Sequence, residues 1–192
     1  MPPAGAQAQA LEIRSLPLVL KLDEPAATNV GHLRWRGGIS MKANSASFGG
    51  WSDLQVAPDG RSLTSISDEG AWFTAAIDYD ATGNLAGLSN AEIGKLRGLD
   101  GQPLDDKAWA DAEGTARLPD GSWLVSFERH HRLWRYPTLT STPVPLAVAP
   151  NNEPSARKSL PIASGGIATS SSGAARRMVA TKVLLLGPGH RR

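Results

Sequence analysis

The amino-acid sequence predicts an all-β protein built from repeated antiparallel sheet units. Two Pro-Asp-Gly turns, at 58–60 and 119–121, lie 61 residues apart, and the apolar runs and polar corners after them align at the same offset. Each copy consists of a strand, a tight turn, a strand, a polar corner and a further strand, a unit that must be repeated to bury its faces. The chain has 192 residues, 41% of them hydrophobic, which is enough for one domain with its own core.

The strands follow in order from the alternation of apolar and polar residues. Before the first copy, the pattern predicts an edge strand at 16–22 and a strand at 32–41 with a bulge or turn at Gly37 and Gly38. The first copy has strands at 53–56, 62–66 and 71–79, followed by a brief strand at 85–88. Residues 89–106 resemble a helix or a long loop, with Asn90 as the capping candidate. The second copy runs from 109 to 136 and is followed by several prolines.

Charge and aromatic content divide the chain into unequal parts. Residues 137–192 contain one acid and seven Lys or Arg, and all eleven aromatic residues lie between Trp35 and Tyr136. We therefore predict an N-terminal tail or signal remnant at 1–13, a folded segment at 14–150 and a low-complexity basic tail at 151–192. The tail lacks stacking aromatics and dense basic runs, which disfavours nucleic-acid binding. A disordered tail or a frameshift near 151–153, which would leave a truncated protein, remains open.

Several chemistries are excluded by residues that the sequence lacks. Cysteine is absent, so there are no disulfides, no thiolate zinc sites and no cysteine nucleophile. No Gly-x-Ser-x-Gly elbow and no phosphate-binding Gly-x-x-x-x-Gly-Lys loop occurs. The longest apolar runs fall short of the roughly 18 residues of a membrane-spanning helix.

The polar corners are the best candidates for a functional site. They carry five carboxylates and three neighbouring basic residues: Asp68, Glu69, Asp111, Glu113, Glu128, Arg129, His130 and His131. In radially arranged sheet units, equivalent corners collect at one end, where like charges raise one another's pKa. A hard cation such as Ca²⁺, or the Arg and His cluster, would relieve that repulsion. The alternative is that these are ordinary solvated turn acids.

The order of these motifs resembles the phytase-like proteins described as having esterase-like activity. The match rests on Phe-Gly-Gly-Trp-Ser-Asp-Leu at 48–54, Ser-Asp-Glu-Gly at 67–70, Asp-Ala-Glu-Gly at 111–114, Phe-Glu-Arg at 127–129 and both Pro-Asp-Gly turns. The resemblance covers 14–153. It implies a β-propeller, here a partial one with a disordered or irregular C-terminal tail, export to the periplasm or exterior, and Ca²⁺-dependent hydrolysis of phosphoesters. Family members are longer and continue with further repeats after an Asn-Asn-Glu-like phrase.

Carried over position by position, the resemblance implies four metal ligands and two catalytic residues. The predicted ligands of Ca²⁺ are Asp68, Asp111, Glu113 and Glu128, and the predicted catalytic residues are Glu113 and Arg129. The first hypothesis is a metal-assisted hydrolase of small phosphoester or ester substrates, with no nucleic-acid partner and no membrane span. The second is a non-catalytic propeller module for binding or scaffolding, whose corners are structural turns.

Overall fold

Antiparallel strands make up nearly all of the regular structure. The computed structural model describes residues 8–147, 167–171 and 181–188. Before the helix the strands are β1 (Gln9–Leu11), β2 (Ile13–Leu18), β3 (Asn29–Val30), β4 (Leu33–Ala43), β5 (Trp51–Val56), β6 (Ser62–Ser67), β7 (Ala71–Tyr79) and β8 (Leu85–Lys95). After the helix α1 (Lys107–Ala110) come β9 (Ala112–Arg117), β10 (Trp123–Phe127), β11 (Arg132–Tyr136), β12 (Val144–Leu146), β13 (Ile167–Ser171) and β14 (Thr181–Pro188).

These strands form three antiparallel sheets. The first has the order β1-β8-β7-β6-β5, the second β12-β11-β10-β9, and the third β13-β14-β4-β2 with β3 also paired to β4. No sheet closes on itself within the described part of the chain. The all-β prediction is therefore confirmed.

The predicted repeat is present as two similar three-stranded units, β5-β6-β7 and β9-β10-β11. Their Pro-Asp-Gly turns have the same hydrogen bonds: Gly60 N–H donates to Ala57 O at 2.8 Å, and Gly121 N–H donates to Leu118 O at 2.9 Å. Both glycines have positive φ, +69° and +82°, which favours glycine at this position. The offset of 61 residues therefore corresponds to one local structure that occurs twice in the chain.

The first sheet is buried on both faces because alternate residues of its central strands enter different cores. Leu63 and Phe73 belong to a core shared with the third sheet, where the Phe73 ring lies 5.4 Å from Phe48 and from Trp51. Ile66 and Trp72 instead pack against the second sheet. Burial on both sides explains the continuous apolar run in β7, since a strand with one solvated face would alternate.

Residues 89–106 are the main error of the sequence prediction. Strand β8 continues to Lys95, and Asn90, expected to cap a helix, has φ +47° inside that strand. A shift of register between β7 and β8 falls at this point, so the apolar positions Leu88, Ala91 and Ile93 do not alternate strictly. The bulge interrupts the alternation of apolar and polar residues, so the sequence pattern did not indicate this part of the strand, which pairing with β7 stabilises. The short helix lies later, at α1, where Asp106 caps Ala108 N–H at 2.8 Å.

The third sheet contains the described segments of the predicted tail. Strand β14 pairs with β4, with a shift of register opposite Gly37 that agrees with the predicted bulge, and β13 pairs with β14. These two segments are regular strands rather than irregular chain. The rest of 151–192, like residues 1–7, lies outside the described residues. None of the helical structure in the described part has the length and apolar character needed to cross a membrane.

Candidate active site

The polar corners of the two units meet at one end of the sheets. Asp68 follows β6, Glu128 and Arg129 follow β10, and Asp111 and Glu113 lie at the start of β9. Backbone hydrogen bonds fix both corners in the same way: Asp68 N–H donates to Gly50 O at 3.0 Å, and Glu128 N–H donates to Asp111 O at 2.8 Å. The repeated backbone therefore places carboxylates of different strands next to one another.

Three carboxylates form the centre of this group. Asp111, Glu113 and Glu128 each offer an oxygen, and these oxygens all lie within 4.8 Å of one another. Asp111 is buried, whereas Glu113 and Glu128 are exposed. Loss of hydration raises the pKa of Glu113, and the negative charges of Glu128, Asp111 and Asp68 raise it further. Ionisation of Glu113 is therefore less favourable than that of an isolated glutamate side chain.

Lys107 connects the two corners. Its ammonium donates to the Asp68 backbone oxygen and Asp68 Oδ2, both at 2.6 Å, and to Asp111 Oδ1 at 2.9 Å. Partial burial works against the charge, but the hydrogen bonds to both carboxylates outweigh it and raise the pKa of Lys107. Lys107 also borders an open cavity of about 380 Å³, which is lined by Glu69, Lys95, Asp105, Lys107 and Ala110.

Arg129 holds the other oxygen of Asp111. Its Nε donates to Asp111 Oδ2 at 2.9 Å, and its φ is +50°, a conformation that residues other than glycine adopt only at a cost. Burial disfavours the charge on Asp111, but the hydrogen bonds from Lys107 and Arg129 prevail and lower its pKa. Asp111 therefore stays ionised beside a carboxylate, Glu113, that ionises less readily.

Comparison with known proteins identifies the family to which this chain belongs. The family described as phytase-like, "esterase-like activity of phytase", matches residues 46–177. The chain belongs to the phytase-like family. No curated protein and no solved structure matches it. The matched region contains both repeated units, all of the clustered carboxylates and Arg129, so the resemblance expected from the motifs is confirmed.

The cluster of carboxylates combines most, but not all, of the predicted ligands. Asp111, Glu113 and Glu128 lie together, whereas Asp68 lies outside that group and its carboxylate is paired with Lys107. Arg129 lies beside the group, as the resemblance implies. The roles assigned to these residues stay predictions.

The basic residues after Arg129 do not form a single anion site. His130 stacks on Trp109, with ring centroids 4.1 Å apart. The Arg132 guanidinium lies 3.8 Å from the Phe127 ring centroid and 4.3 Å from that of Trp134. Arg135 pairs with Asp120, away from the corners. Aromatic packing therefore accounts for His130 and Arg132.

Sequence reasoning missed Lys107. It lies between the segment predicted as a helix or long loop, 89–106, and the start of the second copy at 109. The available signal was its spacing of four residues from Asp111, with Asp106 as a helix cap, because one helical turn brings residues at that spacing together. Its contact with Asp68, 39 residues earlier, had no sequence signal.

Proposed function

We propose that this phytase-like protein hydrolyses phosphoester or ester bonds of small molecules, with a divalent cation, Ca²⁺, bound at the corner carboxylates. The observation that supports this most is the charge of the corner. Glu113 there feels the charges of three other carboxylates, Asp68, Asp111 and Glu128, and among the residues that the structure describes only Lys107 and Arg129 are paired with this group. Two negative charges remain to be balanced, which matches the charge of one divalent cation.

The donor set fits such an ion. Carboxylate oxygens are the ligands that Ca²⁺ prefers. Among the described residues, neither Glu113 nor Glu128 forms an ion pair within 4.0 Å, so both remain available. Glu113, Glu128 and one oxygen of Asp111 would hold the ion. When bound, such an ion polarises a phosphoryl or carbonyl oxygen and lowers the pKa of its water.

The residues of the chain supply the remaining functions. Glu113 is the proposed base, because it is an exposed carboxylate within the cluster, where it could take a proton from the attacking water. Arg129 is the proposed stabiliser of negative charge on the substrate. Its Nε is fixed by Asp111, and in the described part of the chain its two Nη groups make no hydrogen bond, so they can donate to an anion.

We further propose that the sheets are blades of a β-propeller. The first sheet supports this, since it is packed on both faces by other sheets. In such a ring, the inner strands β5 and β9 would lie beside the axis and the corners would open at one end.

The test is an assay of the purified protein on p-nitrophenyl phosphate, phytate and p-nitrophenyl acetate. We expect turnover of at least one substrate, its loss on addition of a Ca²⁺ chelator and its return with Ca²⁺. Glu113→Gln should abolish turnover, while Glu92→Gln, an exposed carboxylate on β8, should leave it unchanged. Absence of turnover on all three substrates, or full activity of Glu113→Gln, would overturn the proposal. Thermal stabilisation by Ca²⁺ without turnover would instead indicate a binding module.

A further inference from the structure

We propose that the Lys107 ammonium, by pairing with Asp68 and with one oxygen of Asp111, prevents these carboxylate oxygens from binding the metal. The ion is then held weakly, mainly by Glu113 and Glu128. This inference rests on the proposed function, because it concerns the same cation site. It assigns to Lys107 a positioning role, which neither the motifs nor the family resemblance provides. The consequence is a site with coordination positions open to substrate.

The hydrogen bonds of Lys107 use its full donor capacity. An ammonium has three N–H groups, and Lys107 directs them to the Asp68 backbone oxygen, to Asp68 Oδ2 and to Asp111 Oδ1. All three distances lie between 2.6 and 2.9 Å. Lys107 therefore has no donor left for a substrate phosphate, and its contribution must pass through the two carboxylates.

Asp111 is held on both sides. Its Oδ1 accepts from Lys107 and its Oδ2 accepts from Arg129, each at 2.9 Å. The side chain is 10% exposed, so water adds little. A carboxylate whose oxygens each face a cation binds a further cation less strongly, because like charges repel at close range. Asp111 therefore orients the site more than it binds the ion.

The arrangement is specific to the second copy of the repeat. At the offset of 61 residues, Lys107 corresponds to Ala46 and Asp111 to Gly50, so the first copy has neither member of the pair. A Cβ at Gly50 would lie 2.3 Å from Asp68 Oδ1. The missing side chain thus leaves room for the Asp68 carboxylate, which is then shared with Lys107. One lysine thus pairs with a carboxylate from each copy.

The expected effect of removing Lys107 is tighter binding of Ca²⁺. A unit charge and a divalent charge several ångströms apart repel strongly enough, even at the dielectric constant of water, to change the affinity about tenfold, so loss of the Lys107 charge should strengthen binding by about that factor. Release of the Asp68 and Asp111 oxygens adds to that gain. A purely structural lysine would have the opposite effect, since its loss would disorder the carboxylates and weaken binding.

The experiment is a calorimetric measurement of Ca²⁺ affinity for the full chain and four variants. Lys107→Met should bind Ca²⁺ about tenfold more tightly or better, Lys107→Arg should match the wild type, and Lys42→Met, a distant charge loss on β4, should change nothing. Lys107→Gln, which retains a donor, replaces the Met variant if that variant does not fold. Circular dichroism checks the fold of each.

The outcomes separate the two proposals. Wild-type binding with equal or weaker affinity in a folded Lys107→Met or Lys107→Gln variant overturns the role of Lys107 and leaves the proposed function intact. Binding by the variant alone supports the role of Lys107 and overturns a metal-dependent function for the wild type. Absence of binding in every variant overturns both.

Discussion

Asp53 on β5 links the first sheet to the second through Thr115 on β9. Its Oδ2 accepts hydrogen bonds from the Thr115 backbone N–H at 2.6 Å and from the Thr115 hydroxyl at 2.7 Å. Gln55 adds a hydrogen bond from its side-chain amide to the Thr115 backbone oxygen at 3.0 Å. The Asp53 side chain therefore joins two sheets whose strands form no backbone hydrogen bonds with each other.

Asp53→Ala should destabilise the protein by about 2 kcal/mol, because the partly buried N–H and hydroxyl of Thr115 both lose their acceptor. The free energy of unfolding in urea measures the effect. Thr115→Ser, which keeps both donors, is the matched control and should cost less than about 1 kcal/mol. A loss below about 0.5 kcal/mol in Asp53→Ala would show that this link does not hold the sheets together.

Tyr136→Phe should cost about 1–2 kcal/mol, because the ring is fully buried and its hydroxyl donates to Arg97 O at 2.8 Å. Removal of the hydroxyl leaves that carbonyl oxygen without this partner. Burial also raises the pKa of Tyr136 far above the usual value for tyrosine. Absorbance titration should therefore show that Tyr136 does not ionise before the protein unfolds. Ionisation of two tyrosines before unfolding would contradict the buried position of Tyr136.

The acid sensitivity of the second Pro-Asp-Gly turn follows from Asp120. Hydrogen bonds from the Ser122 hydroxyl and N–H, aided by Arg135, lower the pKa of Asp120 from 3.8 to about 2. Because the folded-state pKa lies below the unfolded one, the stabilisation is complete above about pH 4 and is lost as the pH falls toward 2. Asp120→Asn should therefore lower stability at pH 7 and flatten its decline between pH 4 and 2, as measured by urea denaturation at each pH. An unchanged decline would exclude Asp120 as its source.

The features that the sequence predicted are those determined locally. The Pro-Asp-Gly turns recur because the carboxylates of Asp59 and Asp120 accept hydrogen bonds from the backbone N–H two positions later. The continuation of strand β8 beyond the predicted 85–88 was missed because its bulge at Asn90 is stabilised by pairing with β7. The Lys107–Asp68 and Asp53–Thr115 contacts join residues 39 and 62 positions apart, so nothing in the local pattern indicates them.

Arg129→Gly separates function from folding at the proposed active site. Arg129 has φ +50°, which glycine adopts without strain, so the relief of strain should offset the loss of its ion pair with Asp111, whose carboxylate keeps its hydrogen bond from Lys107. We expect the free energy of unfolding to change by less than about 1 kcal/mol. Turnover should nevertheless fall at least about tenfold, because a charge-assisted hydrogen bond to the substrate contributes about 1.5–3 kcal/mol.

Arg129→Lys tests the geometry of the same side chain. It keeps the charge and the strained backbone but replaces the planar guanidinium with a single ammonium, which cannot bond Asp111 and a substrate anion in the same arrangement. It should therefore be no more stable than the wild type and should recover only part of the turnover lost in Arg129→Gly. Steady-state kinetics on the substrate identified by the assays provide the measurement. Full turnover in Arg129→Gly would contradict a role of the Arg129 guanidinium in stabilising the reacting group. The positive φ at this corner would then serve the fold alone.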